Sequence, residues 1–305
     1  MKHLFRFAFA LAAVLTLCPA HAQQQLRLVD AHSQASRENP PEQVVELMRA
    51  AGVSHTILSA RGGLGGRDLL AAAARYPSEL SASVPVKGDL YNSGDPRFAE
   101  RLADAASRGR FRAISEALVW HAQKGRIAPR ITYQLSDPPV MAVLQTSIEH
   151  GWPFVVHIEF RSAGAHAQQL MADFKALAKR HPRHPFVLIH MGQLDPQGAA
   201  ALIRDHPNVH FMTSHANPVY LRVAGRGQPW INMFDGRSLK KPWRDLMVAA
   251  PNRFILAFDC VLPAHFKPRF YVEQASLWRD ALSELPPSVA NAVAHGNAER
   301  LWRLP

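Results

Sequence analysis

The sequence predicts an α/β fold, a single-domain (β/α)8 TIM barrel, on three observations: eight short apolar runs, helical patterns between them, and a length that one large core accounts for. The runs span residues 26–31, 53–59, 80–86, 111–117, 152–158, 185–190, 209–213 and 254–259. Each is rich in Val, Ile, Leu and Phe, and short apolar runs alternating with helical segments are the pattern of βα units in a parallel sheet. Seven amphipathic segments lie between them, at 41–51, 68–75, 96–108, 138–150, 165–180, 196–206 and 242–250. Several carry proline in the first turn, where a missing N–H costs nothing, and Gly52 and Gly151 follow their helices as stops.

Eight such units close into a barrel more economically than they spread into an open sheet. The chain of 305 residues also suits one barrel of about 250 residues. The Gly-rich stretch 61–66 follows the second run and lacks the Gly-x-Gly-x-x-Gly spacing that would mark a dinucleotide-binding open sheet. Two connections, 87–95 and 213–241, exceed what a barrel needs; the second holds His215, Asn217, Tyr220, Trp230 and Phe234 and reads as a substrate lid.

The first 22 residues form a separate unit. Lys2 and Arg6, the apolar run 7–17 and Pro19-Ala20-His21-Ala22 have the form of a secretory signal peptide, with cleavage expected after Ala22. The expected organisation is a signal over 1–22 and a barrel over 23–305, in the periplasm or secreted. No later stretch is apolar enough to span a bilayer, so stable membrane insertion is not expected. Of two cysteines Cys18 leaves with the signal, and Cys260 is left without an internal partner. Its expected role is structural and buried rather than nucleophilic, because a free exported thiol oxidises.

Lys and Arg number 35 against 24 Asp and Glu, for a formal charge of +11. The arginines are scattered, which describes a solvated basic surface and not a nucleic-acid stripe. The expected partner is a small, anionic substrate; assembly into a homo-oligomer is left open.

Candidate chemistry falls at the run ends, which a closed barrel gathers at one mouth. His32 and Gln34 follow the first run, Glu116 closes the fourth, His157 the fifth, His190 the sixth and Asp259 the eighth. Imidazoles and carboxylates converging there are a donor set for Zn²⁺, Mn²⁺ or Fe²⁺. His157, His190 and Asp259 end otherwise apolar runs, where an unpartnered polar group costs several kcal/mol. His55, His166, His181, His184, His206 and His265 lack that context and read as surface or hydrogen-bonded histidines.

Val29-Asp30-Ala31-His32-Ser33-Gln34 resembles the Asp-Ala-His-x-His opening of the amidohydrolase-related barrels. Phe111-Arg112-Ala113-Ile114-Ser115-Glu116 resembles their fourth strand, His190-Met191-Gly192 their sixth-strand motif, Arg253 to Asp259 their last strand, and His295-Gly296-Asn297-Ala298-Glu299-Arg300-Leu301 their terminal helix. The resemblance implies a metal held by His32, His157 and Asp259, with Glu116 as a further or bridging ligand. His190 either joins a second metal or polarises the substrate. Gln34 stands where the family has its second histidine, so a harder ion than zinc, such as manganese, or no metal at all, is also open.

The expected activity is hydrolysis of a carboxylated ester, lactone or amide, with Asp259 as general base and His190 at the developing oxyanion. Arg61, Arg161 and His215 are the substrate-binding candidates. The alternatives are decarboxylation at the same site, or a non-catalytic periplasmic binding protein that has lost its metal.

Overall fold

The computed structural model describes residues 25–125, 128–223 and 227–305, so the expected signal lies outside the described residues. Strand β1 (Leu28–Ala35) pairs in parallel with β2 (Val53–Ala60), β2 with β3 (Leu80–Val84), and β3 with the first piece of β4 (Ala113–Ile114). The second piece of β4 (Ala117–His121) pairs with β5 (Phe154–Ile158). Strands β6 (Phe186–Leu188), β7 (Val209–Met212) and β8 (Phe254–Ile255) continue the parallel order.

The ring closes between the last and first strands. Ala31 N–H donates to Leu256 O at 3.0 Å, Gln34 N–H to Cys260 O at 2.9 Å, and Asp259 N–H to His32 O at 2.7 Å. All eight predicted runs are thus barrel strands, which abolishes the open edges.

Alternation along the strands separates two cores. Val29, Ala31, Val155, Val187, Ile189 and Ile255 belong to an inner apolar cluster that Ala298 and Trp302 of the terminal helix Asn297–Trp302 join. The other strand face, including Leu28, Phe154, Phe186 and Phe254, packs on the helices through residues such as Met48, Phe174 and Trp278.

The helices stop as their sequences imply. Pro41–Ala51 buries Val44, Val45, Leu47, Met48 and Ala51 on one stripe, and Gly52 at φ 65° caps its carbonyls; Gly151 at φ 66° does the same for Pro138–His150. Both positions need the left-handed backbone that glycine adopts without a Cβ penalty.

Several bounds differ from expectation for a physical reason. Strand β1 runs on to Ala35, so His32 and Gln34 lie within it. Strands β6 and β8 stop at Leu188 and Ile255, and the backbone turns left-handed at His190 and Asp259. Strand β4 is interrupted at Ser115 and Glu116.

The loop 87–95 holds a short helix, Asp89–Asn92. Within 213–241 lie the helix Pro218–Val223 and a hairpin of Phe234–Asp235 with Ser238–Leu239. Helix Pro268–Ser283, which buries Trp278 and Tyr271, is an element the sequence reading did not list. Among the described residues, no helix is long and apolar enough to cross a membrane.

Candidate active site

Period-two alternation delivers most of the site. Val155, His157 and Glu159 share one face of β5 and its extension, and Ile255, Ala257 and Asp259 share one face beyond β8. Strand β1 needs a device to do this, because His32 and Gln34 are out of step with Val29 and Ala31. Its register slips between Asp30 and Ser33. The buried Asp30 carboxylate holds the irregularity, accepting from His32 N–H at 3.2 Å, Ser33 Oγ at 2.5 Å and Phe258 N–H at 2.8 Å. Burial pushes the Asp30 carboxyl up to about 7 despite those donors.

Three site residues rest in left-handed backbone: His190 at φ 54°, His215 at φ 61° and Asp259 at φ 50°. Met191, Gly192 and Gln193 extend the conformation after His190. Such backbone costs about 1–3 kcal/mol per non-glycine residue and persists where the surroundings over-determine it.

Around Asp259 the mouth is dense with imidazole. His215 Nε2 lies 3.1 Å and His190 Nε2 3.5 Å from Oδ2, while Gln34 Nε2 lies 3.1 Å and His32 Nε2 3.5 Å from Oδ1. Burial works to raise the Asp259 pKa, but the close approach of His215 and the charges of His215, His32 and His190 hold it well below the carboxylate range. His190 and His215 stack at 3.8 Å between ring centroids, His215 and Tyr220 at 3.6 Å, and Trp230 closes edge-on over His190 and His215. Burial, together with neighbouring histidines, pushes His190 well down; burial lowers His215 as well, although Asp259 opposes it.

A second arm is a chain of alternating charge. Lys87 Nζ meets Glu116 Oε1, Glu116 Oε2 meets His157 Nδ1 at 2.6 Å, His157 Nε2 meets Glu159 Oε1 at 2.8 Å, and Glu159 Oε1 meets Lys124 Nζ at 2.5 Å. Burial would lower His157, yet its contacts with Glu116 and Glu159 on either side outweigh that and raise it. Against burial, His157 and Lys124 bring Glu159 down to about 2. Glu116 is likewise held low, by Lys87, His157 and His32.

The donor set fits a divalent ion. His32 Nε2 is buried with no hydrogen-bond partner, and Glu116 Oε1 and Asp259 Oδ1 each lie 3.5 Å from it. One imidazole nitrogen and two carboxylate oxygens around an orphaned buried atom suit zinc or manganese. Gln34 points its amide nitrogen at the same two oxygens and offers its Oε1 only after a flip. His157 and His190 also lie within ligand reach of Glu116.

The model of the amidohydrolase family matches residues 17–304, nearly the whole chain. The chain belongs to the amidohydrolase family. As a member it is a hydrolase of that metal-dependent type, built on the barrel described above. Among solved structures, an amidohydrolase from Burkholderia multivorans with zinc bound is 20% identical over 91% of this chain and 99% of that one, with a TM-score of 0.55. An uncharacterised TIM-barrel protein from Bordetella bronchiseptica is 15% identical over the same shares, TM-score 0.58. A probable 2-pyrone-4,6-dicarboxylic acid hydrolase from Acinetobacter baumannii with citric acid bound is 12% identical, again over 91% and 99%, TM-score 0.51. At these identities the likeness is one of fold. No curated protein matches the chain.

The structure gathers His32, Gln34, Glu116, His157, His190, His215 and Asp259 at the mouth. Arg61 stands beside them, its NH1 donating to Val261 O at 2.8 Å. Arg161 is not brought in: its side chain is 45% exposed, and it faces Asp195 at 3.8 Å across the surface. The sequence places it after β5, but the loop carries it outward. His215, expected at the substrate, lies at the mouth with its Nε2 3.1 Å from Asp259 Oδ2.

Glu159, Lys87 and Lys124 are the site residues sequence reasoning missed. Glu159 was findable, two positions past His157 on the same strand face. Lys87 opens the loop after β3, and Lys124 lies in the loop after β4 with no local signal. Cys260 is buried, and burial pushes its thiol well up, as a structural cysteine requires.

Proposed function

We propose that the enzyme hydrolyses an ester, lactone or amide bond in a small carboxylated substrate, with Asp259 and His190 as catalytic groups. The observation that supports this best is the setting of Asp259, a buried, ionised carboxylate with four side-chain nitrogens within 3.5 Å. An ionised carboxylate in this position accepts a proton from an attacking water. His215 Nε2, 3.1 Å from Asp259 Oδ2, is the next acceptor for that proton on its way to the leaving group.

His190 supplies the opposite function. Ser214 Oγ accepts the His190 backbone N–H at 3.2 Å and faces Nδ1 at 2.9 Å. With the hydroxyl hydrogen given to Nδ1, His190 carries its own hydrogen on Nε2, inside the mouth, where it stabilises developing negative charge on the substrate oxygen. Arg61 spends one N–H on Val261 and keeps the rest of its fork for the substrate carboxylate.

His32, Glu116 and Asp259 would hold the metal, with Gln34 as a weak fourth ligand after its flip. Zinc or manganese bound there supplies Lewis acidity and a water whose pKa falls towards about 7.

Metal analysis of protein purified without chelator, beside Asp259→Asn and with a panel of carboxylated esters and lactones, tests the reading. About one equivalent of zinc or manganese and turnover in the wild type, both lost in the variant, is the expected result. A wild type that neither takes up metal on reconstitution nor turns over any of the panel would overturn it.

A further inference from the structure

Lys87 is the group in the mouth that a metal centre does not call for. Its ammonium sits on Glu116 Oε1, and Gln34 Nε2 takes a second direction on that same oxygen at 3.3 Å. Oε2 is engaged by His157 Nδ1 at 2.6 Å. A carboxylate oxygen offers about two lone-pair directions, so Glu116 admits a divalent ion beside His32 only by releasing a partner. A second cation on an occupied oxygen would meet the ammonium across a few ångströms of low-dielectric interior.

The partners differ in where they can go. His157 is buried, and a flip of Gln34 would withdraw its amide N–H₂ from Oε1 but leave the Lys87 charge on that oxygen beside the ion. The Lys87 side chain is 31% exposed against 1% for Glu116. An ammonium on a four-carbon stem is strongly hydrated, so moving it from the carboxylate into water carries a small solvation cost. Lys124, the other lysine of the chain of charge, contacts Glu159 and leaves the oxygen facing His32 alone.

We propose that Lys87 is a built-in competitor for the metal: its ammonium and the divalent ion occupy Glu116 in turn, and the ion binds as the lysine swings out to solvent. The inference rests on reading His32, Glu116 and Asp259 as ligands. With Gln34 in place of a stronger ligand, it makes the centre an exchangeable one, whose loading follows the free metal concentration.

Zinc dissociation constants, measured on metal-stripped full-length protein by competition with a chromophoric chelator, test this. Lys87→Met keeps the apolar stem and removes the charge, and is expected to bind zinc at least tenfold more tightly than the wild type. Lys87→Arg, which keeps a cation on Glu116, is expected within about threefold of the wild type. Lys124→Met removes a nearby charge without touching Glu116, and is expected to gain less than about threefold; an equal gain in Lys124→Met and Lys87→Met would mean a general field effect and overturn competition.

A second readout does not depend on any Lys87 variant folding. Acetylation of Lys87 by an N-hydroxysuccinimide ester, read by peptide mass spectrometry, is expected to rise when zinc is added to the wild type and to stay level in Asp259→Asn. Unchanged zinc affinity in Lys87→Met together with unchanged labelling would overturn the inference. If zinc binding is also insensitive to Asp259→Asn, the ligand assignment itself falls; if Asp259→Asn abolishes it, competition alone does.

Discussion

The two ends of the same eight strands obey different rules. At the floor, Val29, Val155, Val187 and Ile255 meet Trp302 and Ala298 in an apolar cluster, with His55 and His210 buried at the strand starts. At the mouth, His32, Glu116, His157, His190, His215 and Asp259 are just as buried and none is apolar. Of the six non-glycine residues with positive φ among the described residues, five lie beyond the ends of β6, β7 and β8, which puts the backbone strain almost entirely at the mouth. The contrast teaches that the floor is where stability is made and the mouth is where part of it is given up for geometry.

Three substitutions break that contrast if it is wrong. Asp259→Asn should lower kcat/KM by roughly 10²–10⁴-fold, the usual range for a lost acid–base group, with the circular dichroism of the folded protein retained. A residual rate above a tenth of wild type would remove Asp259 from the chemistry. Trp302→Ala should cost about 3–5 kcal/mol in denaturant unfolding, as large core truncations do, with kcat/KM at low temperature within about twofold. Were its activity to collapse while stability held, floor and mouth would not be separable. Arg61→Ala should raise KM for a carboxylated substrate roughly ten- to a hundredfold with kcat little changed, the equivalent of losing a hydrogen bond to a charged group worth about 1.5–3 kcal/mol.

The floor was more legible in the sequence than the mouth, for reasons visible in single residues. Runs such as Phe154-Val155-Val156 and Phe254-Ile255-Leu256 declare themselves because burial on both faces demands continuous apolar residues. His157, His190 and Asp259 were legible as polar residues ending such runs, and His32 through the motif around it. The slip of register at Asp30 that turns His32 and Gln34 inward was not, since it depends on Phe258 across the barrel seam. Glu159 follows from alternation past His157. Lys87 and Lys124 reach the site from loops, where no periodicity constrains direction, and the same freedom sends Arg161 away from it.

Acid should act on both ends together. Burial, with nearby positive charge, lowers His121 and His265 at the mouth to about 3, and His184 and His210 near the strand starts to about 4. Between those values and the ordinary 6.5, the unfolded chain binds more protons than the folded one, so stability falls as pH drops below about 6.5. Asp30, raised to about 7, acts in reverse and gains stability as pH falls from 7 towards 3.8, as do the raised His32 and His157, while the lowered His55, His190, His206 and His215 add to the loss. The melting temperature should therefore drop by several degrees between pH 7 and pH 5. His210→Asn and His265→Asn should each flatten that slope; a slope that responds only to the mouth variant would confine the acid response to the site.

The smallest effect is expected where sequence and structure part most clearly. Arg161 and Arg61 occupy equivalent places in the chain, each just past a barrel strand. Arg61 is anchored to Val261, two residues from Asp259, at 2.8 Å. Arg161 has a 3.8 Å contact with a half-exposed Asp195, and exposed pairs of that kind contribute about 0–1 kcal/mol. Arg161→Ala should leave stability within about 0.5 kcal/mol and KM within twofold. A KM rise in Arg161→Ala as large as that in Arg61→Ala would mean that the loop after β5 folds back over the mouth when substrate is bound, and would extend the polar region of the barrel one loop further out.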